Sequence, residues 1–447
     1  MSFARSKAPW KLTALAAAMM AAGSVSAQDY PSPEEMWRII QEQQKQIDKL
    51  LEAQSATEEK VQATEEKVQA TEEKVQATEE KVQATEEMVL ATDEKVEATG
   101  ELLEEVAAGG AEGGMVDGWW TRTSIGGYGE LHYNGGNKDE IDFHRFVLYF
   151  GHEFNDRIRM FSELEFEHAF VEDTADGSNG GAVELEQAYV EFDIGQMSAS
   201  RVGLFLIPVG ILNETHEPPT FFGVERNIVE SAIIPTTWWE GGVSGHTRTK
   251  NGFGFDVAFH SGLEVNTTTY RPRSGRNKVS LASAENGALT GRVRWTGIPG
   301  VELALTGQFQ DDMTQGTDPS GQAVEGLLIE THANIRRGPW SFRALYAQWD
   351  LDGTGPQAVG ADEQYGFYIE PGYYIPVGNH EVGLFVQYAE VDNNAGNDAD
   401  TKVIQNRAGV SWLPHPQVVL KADYQVEDRP NPDAEDDRLN LGMGFMF

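Results

Sequence analysis

Charged side chains recur at every second position in several segments of this sequence, and that spacing puts them on one face of an extended chain. The basic candidates on such faces are Arg145, Arg159, Arg201, Arg292, Arg294, Arg407 and Lys421, and the acidic ones are Glu163, Glu165, Glu167 and Glu191. A basic row opposite an acidic row across an enclosed, water-filled space would create a transverse electric field that acts on dipolar or charged solutes. The alternative is that these charges only keep the interior wet.

One segment, residues 213–240, is too long and too apolar in places to lie in solvent as an ordinary loop. It contains N-E-T-H-E-P-P-T-F-F-G-V-E-R-N-I-V-E and ends in P-T-T-W-W-E. Because a segment of this length inside a compact domain is usually functional, we expect it to fold into the interior and narrow it. Its candidate residues are Asn213, Glu214, His216, Glu217, Glu225, Arg226, Trp238 and Trp239.

Metal binding and catalysis have little support in the sequence. Glu214, His216 and Glu217 lie close together, but oxygen-rich clusters with a single histidine are common on loops that hold no metal. The sequence has no glycine-rich phosphate loop, no zinc-type histidine pair and no G-x-S-x-G element. We therefore expect no metal, no cofactor and no enzymatic activity.

A less favoured alternative is a lipid hydrolase with a Ser–His pair on the outer wall of a barrel. His144 and His152 fall on the outward parity of one extended segment, and Ser162 does so on the next segment. A recognisable nucleophile motif is missing from both segments.

The elements that must position these residues are strands, because apolar and polar residues alternate with a period of two from about residue 120 onward. We count sixteen segments of about ten residues, the length that crosses a bilayer as a tilted strand. They begin near Ser124, Asp142, Ile158, Val183, Ser200, Gly241, Phe253, Ala288, Val301, Val324, Trp340, Glu363, His380, Lys402, Val418 and Arg438.

This alternation fits both a soluble β-sandwich and a transmembrane β-barrel. The connections favour the barrel, since tight turns alternate with long loops rich in Asp, Asn and Gly. In a closed barrel the last segment, residues 438–447, pairs with the first strand and turns its large residues to lipid. Those large residues are Leu439, Leu441, Met443, Phe445 and Phe447.

Aromatic residues near the strand ends are candidates for the girdles that barrels place at the two membrane interfaces. They include Tyr149, Trp295, Trp340, Trp349, Tyr373, Tyr374 and Trp412. Ordinary packing in a core is the alternative for each of them.

The chain before the strands has a different organisation. Residues 1–27 have the positive region, the short apolar core and the small-residue cleavage site of a secretory signal peptide. Residues 28–106 carry repeats of T-E-E-K-V-Q-A, a period of seven that predicts an α-helical coiled coil on the order of 100 Å long. A solvated single helix or a disordered acidic repeat is the alternative. Residues 107–118 form a Gly-rich linker to the barrel domain at 119–447.

Composition limits the chemistry and the partners of the chain. It has no cysteine, which excludes disulfides and thiol chemistry. The formal net charge is −37, which argues against nucleic acid as a partner. From residue 119 onward there are 47 acidic and 23 basic residues, so the barrel region is also no simple collector of anions.

Five motifs in the strand region are G-Y-G-E-L-H-Y (127–133), D-F-H-R-F-V-L-Y-F-G-H-E-F (142–154), S-E-L-E-F-E-H (162–168), E-L-E-Q-A-Y-V-E-F (184–192) and G-L-F-L-I-P-V-G (203–210). Over residues 124–447 the chain resembles porins of the phosphate-selective porin O and P type. The resemblance implies an all-β fold, a 16-stranded antiparallel transmembrane β-barrel, here preceded by the coiled coil. It also implies a trimeric channel for small solutes, often anions such as phosphate or dicarboxylates, in the Gram-negative outer membrane.

The resemblance implies further partners as well, namely outer-membrane lipid, lipopolysaccharide and other copies of the chain. The heptad segment resembles the periplasmic helical stalk of some trimeric porins. One position departs from the family, because Leu206 stands where a lumen lysine is expected in G-x-F-K-x-P-F-G, which argues against phosphate selectivity. The alternative function is a structural tether whose coiled coil contacts peptidoglycan.

Overall fold

The computed structural model describes residues 118–170 and 180–447, and seven helical residues nearer the N-terminus: Glu34, Trp37, Arg38, Gln41, Glu42, Gln44 and Lys45. The signal peptide, most of the heptad segment and nearly all of the Gly-rich linker lie outside the described residues, so those predictions stay predictions. Within the described parts of the chain, no helix has both the length and the apolar character needed to cross a membrane.

Sixteen antiparallel strands form one closed barrel, in which neighbours in the chain are neighbours in the sheet and the last strand closes on the first. Each strand begins within two residues of its predicted start, which confirms the predicted 16-stranded barrel. The strands are β1 (Thr123–Gly135), β2 (Glu140–Asn155), β3 (Ile158–Glu167), β4 (Ala182–Gly195), β5 (Ser198–Leu206), β6 (Trp239–Arg248), β7 (Phe253–His260), β8 (Ala288–Trp295), β9 (Val301–Gln310), β10 (Glu325–Arg337), β11 (Trp340–Asp352), β12 (Glu363–Val377), β13 (His380–Asp392), β14 (Val403–His415), β15 (Val418–Asp428) and β16 (Arg438–Met446).

Closure depends on the contact between β16 and β1. Their register runs from Tyr128 opposite Met446 to Gly135 opposite Leu439. Beyond β16, the N–H of Phe447 donates to the carbonyl of Gly127 at 2.9 Å, and the N–H of Gly127 donates back at 3.1 Å. The sheet therefore has no free edge, as predicted for the last strand.

Short and long connections alternate around the barrel. The connections after even-numbered strands have two to five residues, and we call that end the short-turn rim. Most of those after odd-numbered strands are longer, at the end that we call the loop rim, and the two longest are residues 207–238 and 261–287. Short helices interrupt the long connections at α1 (Val229–Ala232) and α2 (Thr354–Val359).

Side chains alternate between an apolar outer wall and a polar interior, because successive residues of a strand point to opposite faces. In β15, Leu420 and Tyr424 are 40% and 53% exposed on the outer wall. Lys421 and Asp423, between them in sequence, are buried in the interior.

The predicted aromatic girdle is correct for only part of its members. Trp340 and Trp412 are exposed on the outer wall. Trp349 is fully buried, Tyr149 donates to Glu217 inside the barrel, and Tyr374 stacks on a phenylalanine of the 207–238 connection. For these three residues the girdle interpretation is wrong, because they contact the chain that fills the interior.

A bulge in β2 changes the direction of His144. Glu130 pairs with Arg145 and His132 pairs with Asp142, so β2 has one residue more than β1 between these pairs. The imidazole of His144 stacks on that of His132, with ring centroids 4.8 Å apart. The prediction that His144 faces outward is therefore wrong, and the proposed hydrolase pair on the outer wall loses this histidine.

Candidate functional site

The connection from β5 to β6, residues 207–238, lies inside the barrel, and we call it the lumen loop. Most of its residues are buried. Ile207, Val209 and Ile233 are fully buried in a hydrophobic cluster that also includes residues of β11 and β12. Trp238 is the last residue of this loop, whereas Trp239, predicted to belong to it, is the first residue of β6.

The side chain of Asn213 bridges the two ends of the lumen loop. Its Nδ2 donates to the carbonyls of Ile207 at 2.8 Å and Trp238 at 2.9 Å. Its Oδ1 accepts from the N–H of Trp238 at 2.7 Å. One buried amide therefore joins the two ends of the loop through three backbone groups, and the N–H of Ile207 adds a direct hydrogen bond to the carbonyl of Trp238 at 3.0 Å.

A buried carboxylate holds the next turn of the loop. Glu230 of α1 accepts from the N–H groups of Ile211 and Leu212 at 2.8 and 2.5 Å, and from the hydroxyl of Tyr368 at 2.6 Å. Burial raises the pKa of Glu230, and these three donors oppose that rise. Tyr368 belongs to β12, so this carboxylate connects the loop to the barrel wall.

The tip of the lumen loop is held on the wall formed by β11 to β15 through its own backbone. Three inward cations each donate to a loop carbonyl, at distances from 2.5 to 2.7 Å: Arg343 to Thr220, Lys421 to Gly223 and Arg407 to Glu225. In the opposite sense, Asp423 accepts from the N–H of Val224 at 2.7 Å. Arg407 and Lys421, predicted as inward lumen residues, thus both hold the loop.

An aromatic contact adds to these hydrogen bonds. The ring of Phe222 stacks between Tyr374 and Phe385, with centroids 5.0 and 5.2 Å away. Glycine is required beneath it, since a Cβ at Gly372 or Gly383 would lie about 2.5 Å from the ring carbons. The loop tip therefore packs closely against β12 and β13.

Beside the lumen loop remains a cavity of about 390 Å³. One side of it carries the carboxylates of Glu165 and Glu167 on β3 and of Glu184 and Glu186 on β4. Other lining residues are guanidinium groups, which come from the lumen loop, from the 261–287 connection and from β14 to β16.

Four of these arginines make no ion pair within the described chain: Arg407 holds the tip of the lumen loop, and we call the other three, Arg226, Arg273 and Arg276, the arginine cluster. Arg226 donates to the hydroxyl of Thr237 at 2.9 Å, and Arg276 donates to the carbonyl of the same residue at 2.5 Å. Arg273 donates to the carbonyl of Ser231 at 2.9 Å. These contacts orient the guanidinium groups outside any ion pair, while the carboxylates of Glu167, Glu184 and Glu186 act on them from across the cavity.

Desolvation and repulsion from neighbouring arginines lower the pKa values in the arginine cluster. Burial lowers the pKa of Arg226. Arg273 is exposed to solvent, and partial desolvation by the surrounding chain together with the charges of Arg276 and Arg226 lowers its pKa to about 10. All three side chains still carry a positive charge at neutral pH. Arg273 and Arg276 were missed in the sequence, although the basic run R-P-R-S-G-R-N-K at 271–278 stands out in an acidic chain.

The remaining predicted basic residues are neutralised in ion pairs. Arg145 contacts Glu130 at 2.6 Å and Glu165 at 3.5 Å. Glu191 lies between Arg159 and Arg201, at 2.6 Å from each. The other two pairs join Arg292 with Glu214 and Asp256, and Arg294 with Glu302. These residues do not form an opposed pair of unneutralised rows.

The three loop residues considered together as a metal cluster do not converge. Glu214 pairs with Arg292, and Glu217 accepts from Tyr149 at 3.4 Å. His216 faces β3 and β4 instead, with Nε2 at 3.5 Å from both Glu163 and Glu186. Burial alone would lower the pKa of His216, but the two carboxylates outweigh it and raise that pKa to about 10.

Glu225 anchors the loop to β1. Its Oε1 lies 3.1 Å from Nδ1 of His132 and accepts from Asn134 at 3.0 Å. Burial opposes ionisation of this carboxyl, but these partners outweigh it and hold the pKa of Glu225 well below its usual range. The carboxylate therefore stays ionised next to the cavity.

Comparison with known proteins gives one relative in sequence and several in fold. A protein of Aquifex aeolicus (strain VF5), described as uncharacterized, is 31% identical over 366 residues, which cover 72% of this chain and 80% of that protein. No family model matches the chain.

Two solved structures have similar barrels. The outer membrane channel DcaP of Acinetobacter baumannii is 15% identical with a TM-score of 0.50, covering 73% of this chain and 97% of that one. The anion-selective porin from Comamonas acidovorans is 16% identical with a TM-score of 0.50, covering 73% and 99%. At these identities the similarity concerns the barrel fold.

Proposed function

We propose that this chain, which belongs to the same family as the Aquifex aeolicus protein, is an outer-membrane porin. In this proposal it forms a water-filled channel through which small polar and charged solutes diffuse passively. The closed barrel supports a membrane location, because every strand edge is paired and the outer wall is apolar. Lipid and lipopolysaccharide are then the surroundings of that wall.

The lumen loop is the constriction in this proposal. It occupies the interior and is held there by buried contacts between its two ends, at α1 and at its tip. A solute must therefore pass through the cavity beside the loop, where charged groups line the path. Selectivity in such channels comes from pore width and from the charges that face the water.

The observation that carries the solute preference is the arginine cluster. Arg226, Arg273 and Arg276 offer guanidinium groups outside any ion pair on one side of the path, and the carboxylates of β3 and β4 lie on another. A guanidinium group binds carboxylates and phosphates with paired hydrogen bonds. We propose that small carboxylate or phosphate anions follow the arginine side, and that Leu206, in place of a lumen lysine, leaves the channel without dedicated phosphate selectivity.

The heptad segment is proposed to be a periplasmic stalk that joins three copies of the chain and reaches toward peptidoglycan. Its support in the structure is that β1 begins at the short-turn rim, which porins turn to the periplasm. This second function, a tether, is compatible with the channel.

Deleting residues 218–228 from the lumen loop is expected to raise single-channel conductance in planar bilayers, because this part of the loop would no longer narrow the path of the solute. The matched control deletes residues 395–399, in a loop that does not line the cavity, and should leave conductance unchanged. Equal conductance for the wild type and the 218–228 deletion, both folded by heat-modifiable gel migration, would show that the loop does not constrict the channel.

The double variant Arg273→Ala/Arg276→Ala is expected to shift the reversal potential across a salt gradient toward cation selectivity. One charge about 6 Å from a solute in water contributes about 0.7 kcal/mol, so losing two should reduce the preference for anions by about tenfold. Lys250→Ala/Arg271→Ala removes the same net charge from exposed residues outside the cavity and is the control. A similar shift in both variants would mean that net charge, not the cluster, sets selectivity.

Removing residues 30–114 is expected to leave conductance in bilayers intact while the protein no longer sediments with isolated peptidoglycan. If the shortened protein still sediments with peptidoglycan as the full chain does, the tether proposal fails. If the full chain does not sediment with it either, the tether proposal fails as well.

A further inference from the structure

One side of the lumen loop meets the barrel wall at three buried side chains from three different elements. His216 of the lumen loop, Glu163 of β3 and Glu186 of β4 are 2%, 1% and 2% exposed. Nε2 of His216 lies 3.5 Å from Oε1 of Glu163 and 3.5 Å from Oε2 of Glu186. The three residues thus bring possible ligand atoms within 4.8 Å of one another between the loop and the wall.

All three of the facing atoms lack a hydrogen-bond partner. Oε1 of Glu163, Oε2 of Glu186 and Nε2 of His216 are buried atoms that make no assigned hydrogen bond, and the 3.5 Å separations between them lie at the outer limit for one. Buried polar atoms are nearly always partnered, so three unpartnered atoms beside one another mark a candidate ligand site.

The outer atoms of two of these groups, His216 and Glu163, are already fixed by hydrogen bonds. Nδ1 of His216 lies 3.2 Å from the carbonyl of Asn213 and can donate a hydrogen bond to it, so that a metal ion would replace only the proton that the two carboxylates hold on Nε2. Nε2 of Gln187 donates to the other oxygen of Glu163 at 2.6 Å. This is the second-shell arrangement that orients the ligands of a metal ion.

We propose that His216, Glu163 and Glu186 bind a divalent transition-metal ion of the Zn²⁺ class. Zinc bonds to imidazole nitrogen and carboxylate oxygen are about 2.0–2.2 Å long, and in a tetrahedron they separate neighbouring ligand atoms by roughly 3.3–3.6 Å. The two 3.5 Å separations match that edge and are long for hydrogen bonds. Three protein ligands leave a fourth position for water.

The donor set and the charge favour such an ion over the alternatives. Calcium takes six to eight oxygen ligands, which one imidazole and two carboxylates do not supply. A proton on Nε2 would balance one carboxylate, whereas a divalent ion balances both. The ion would join the lumen loop to β3 and β4, on a different side from the cations that hold the loop tip.

A second group of possible ligands serves as a control. Asp142, His144 and His168 also lie within reach of one another near the loop rim. There, however, Nδ1 of His168 already bonds Asp142 at 2.8 Å, and the three side chains are a quarter or more exposed. Removing His168 should therefore not affect the buried site.

The test measures Zn²⁺ binding to the full chain, refolded in detergent after chelator treatment. Calorimetric titration and elemental analysis give the stoichiometry, and the visible spectrum of the Co²⁺ form reports tetrahedral geometry. The variants are His216→Ala, the isosteric Glu186→Gln, Gln187→Leu and the control His168→Ala, each checked for the folded barrel by gel migration.

We expect His216→Ala and Glu186→Gln to lose one equivalent of Zn²⁺ and the tetrahedral Co²⁺ spectrum, and His168→Ala to keep both. Gln187→Leu should retain the site with about 10- to 100-fold weaker affinity. If the wild type binds no Zn²⁺, or if His216→Ala and Glu186→Gln bind it as the wild type does, the site does not exist and a proton holds these groups. Conductance is not the readout, so this result is independent of the proposed channel function.

Discussion

Inward cations on the barrel wall hold the lumen loop in place by donating hydrogen bonds to its backbone carbonyls. Closing sixteen strands into a ring turns Arg343, Arg407 and Lys421 inward, away from bulk water. An unpaired buried charge is costly. The backbone carbonyls of the loop tip accept from all three, so the loop and the wall stabilise each other.

The charges of the interior fall into two populations with different consequences. Toward the short-turn rim, arginines such as Arg159 and Arg292 are neutralised by carboxylates on neighbouring strands. At the level of the lumen loop, Arg226, Arg273 and Arg276 bond only to backbone and hydroxyl groups, so their charge acts on the cavity. Any selectivity should therefore arise at the loop, because a field from paired charges largely cancels.

The strand pattern of this chain could be predicted because a period of two survives in every strand, and the lumen loop could be predicted from its length and apolar residues. Side-chain direction could not be predicted where a bulge inserts a residue. A bulge in β2 turns His144 inward. A second one, where β4 pairs with β3 beside Glu163, brings Glu186 to the same side as Glu191. Both effects depend on strand pairing, which one sequence does not contain.

The central claim, that the lumen loop is docked inside the barrel, is tested most directly by hydrogen–deuterium exchange of the folded protein, followed by mass spectrometry of peptides. Backbone N–H groups of the loop that have buried acceptors, such as Val224 and Trp238, should exchange as slowly as those in the strands. Peptides from residues 393–402 provide the reference for an ordinary rim loop. Exchange of residues 207–238 as fast as that reference would contradict the account.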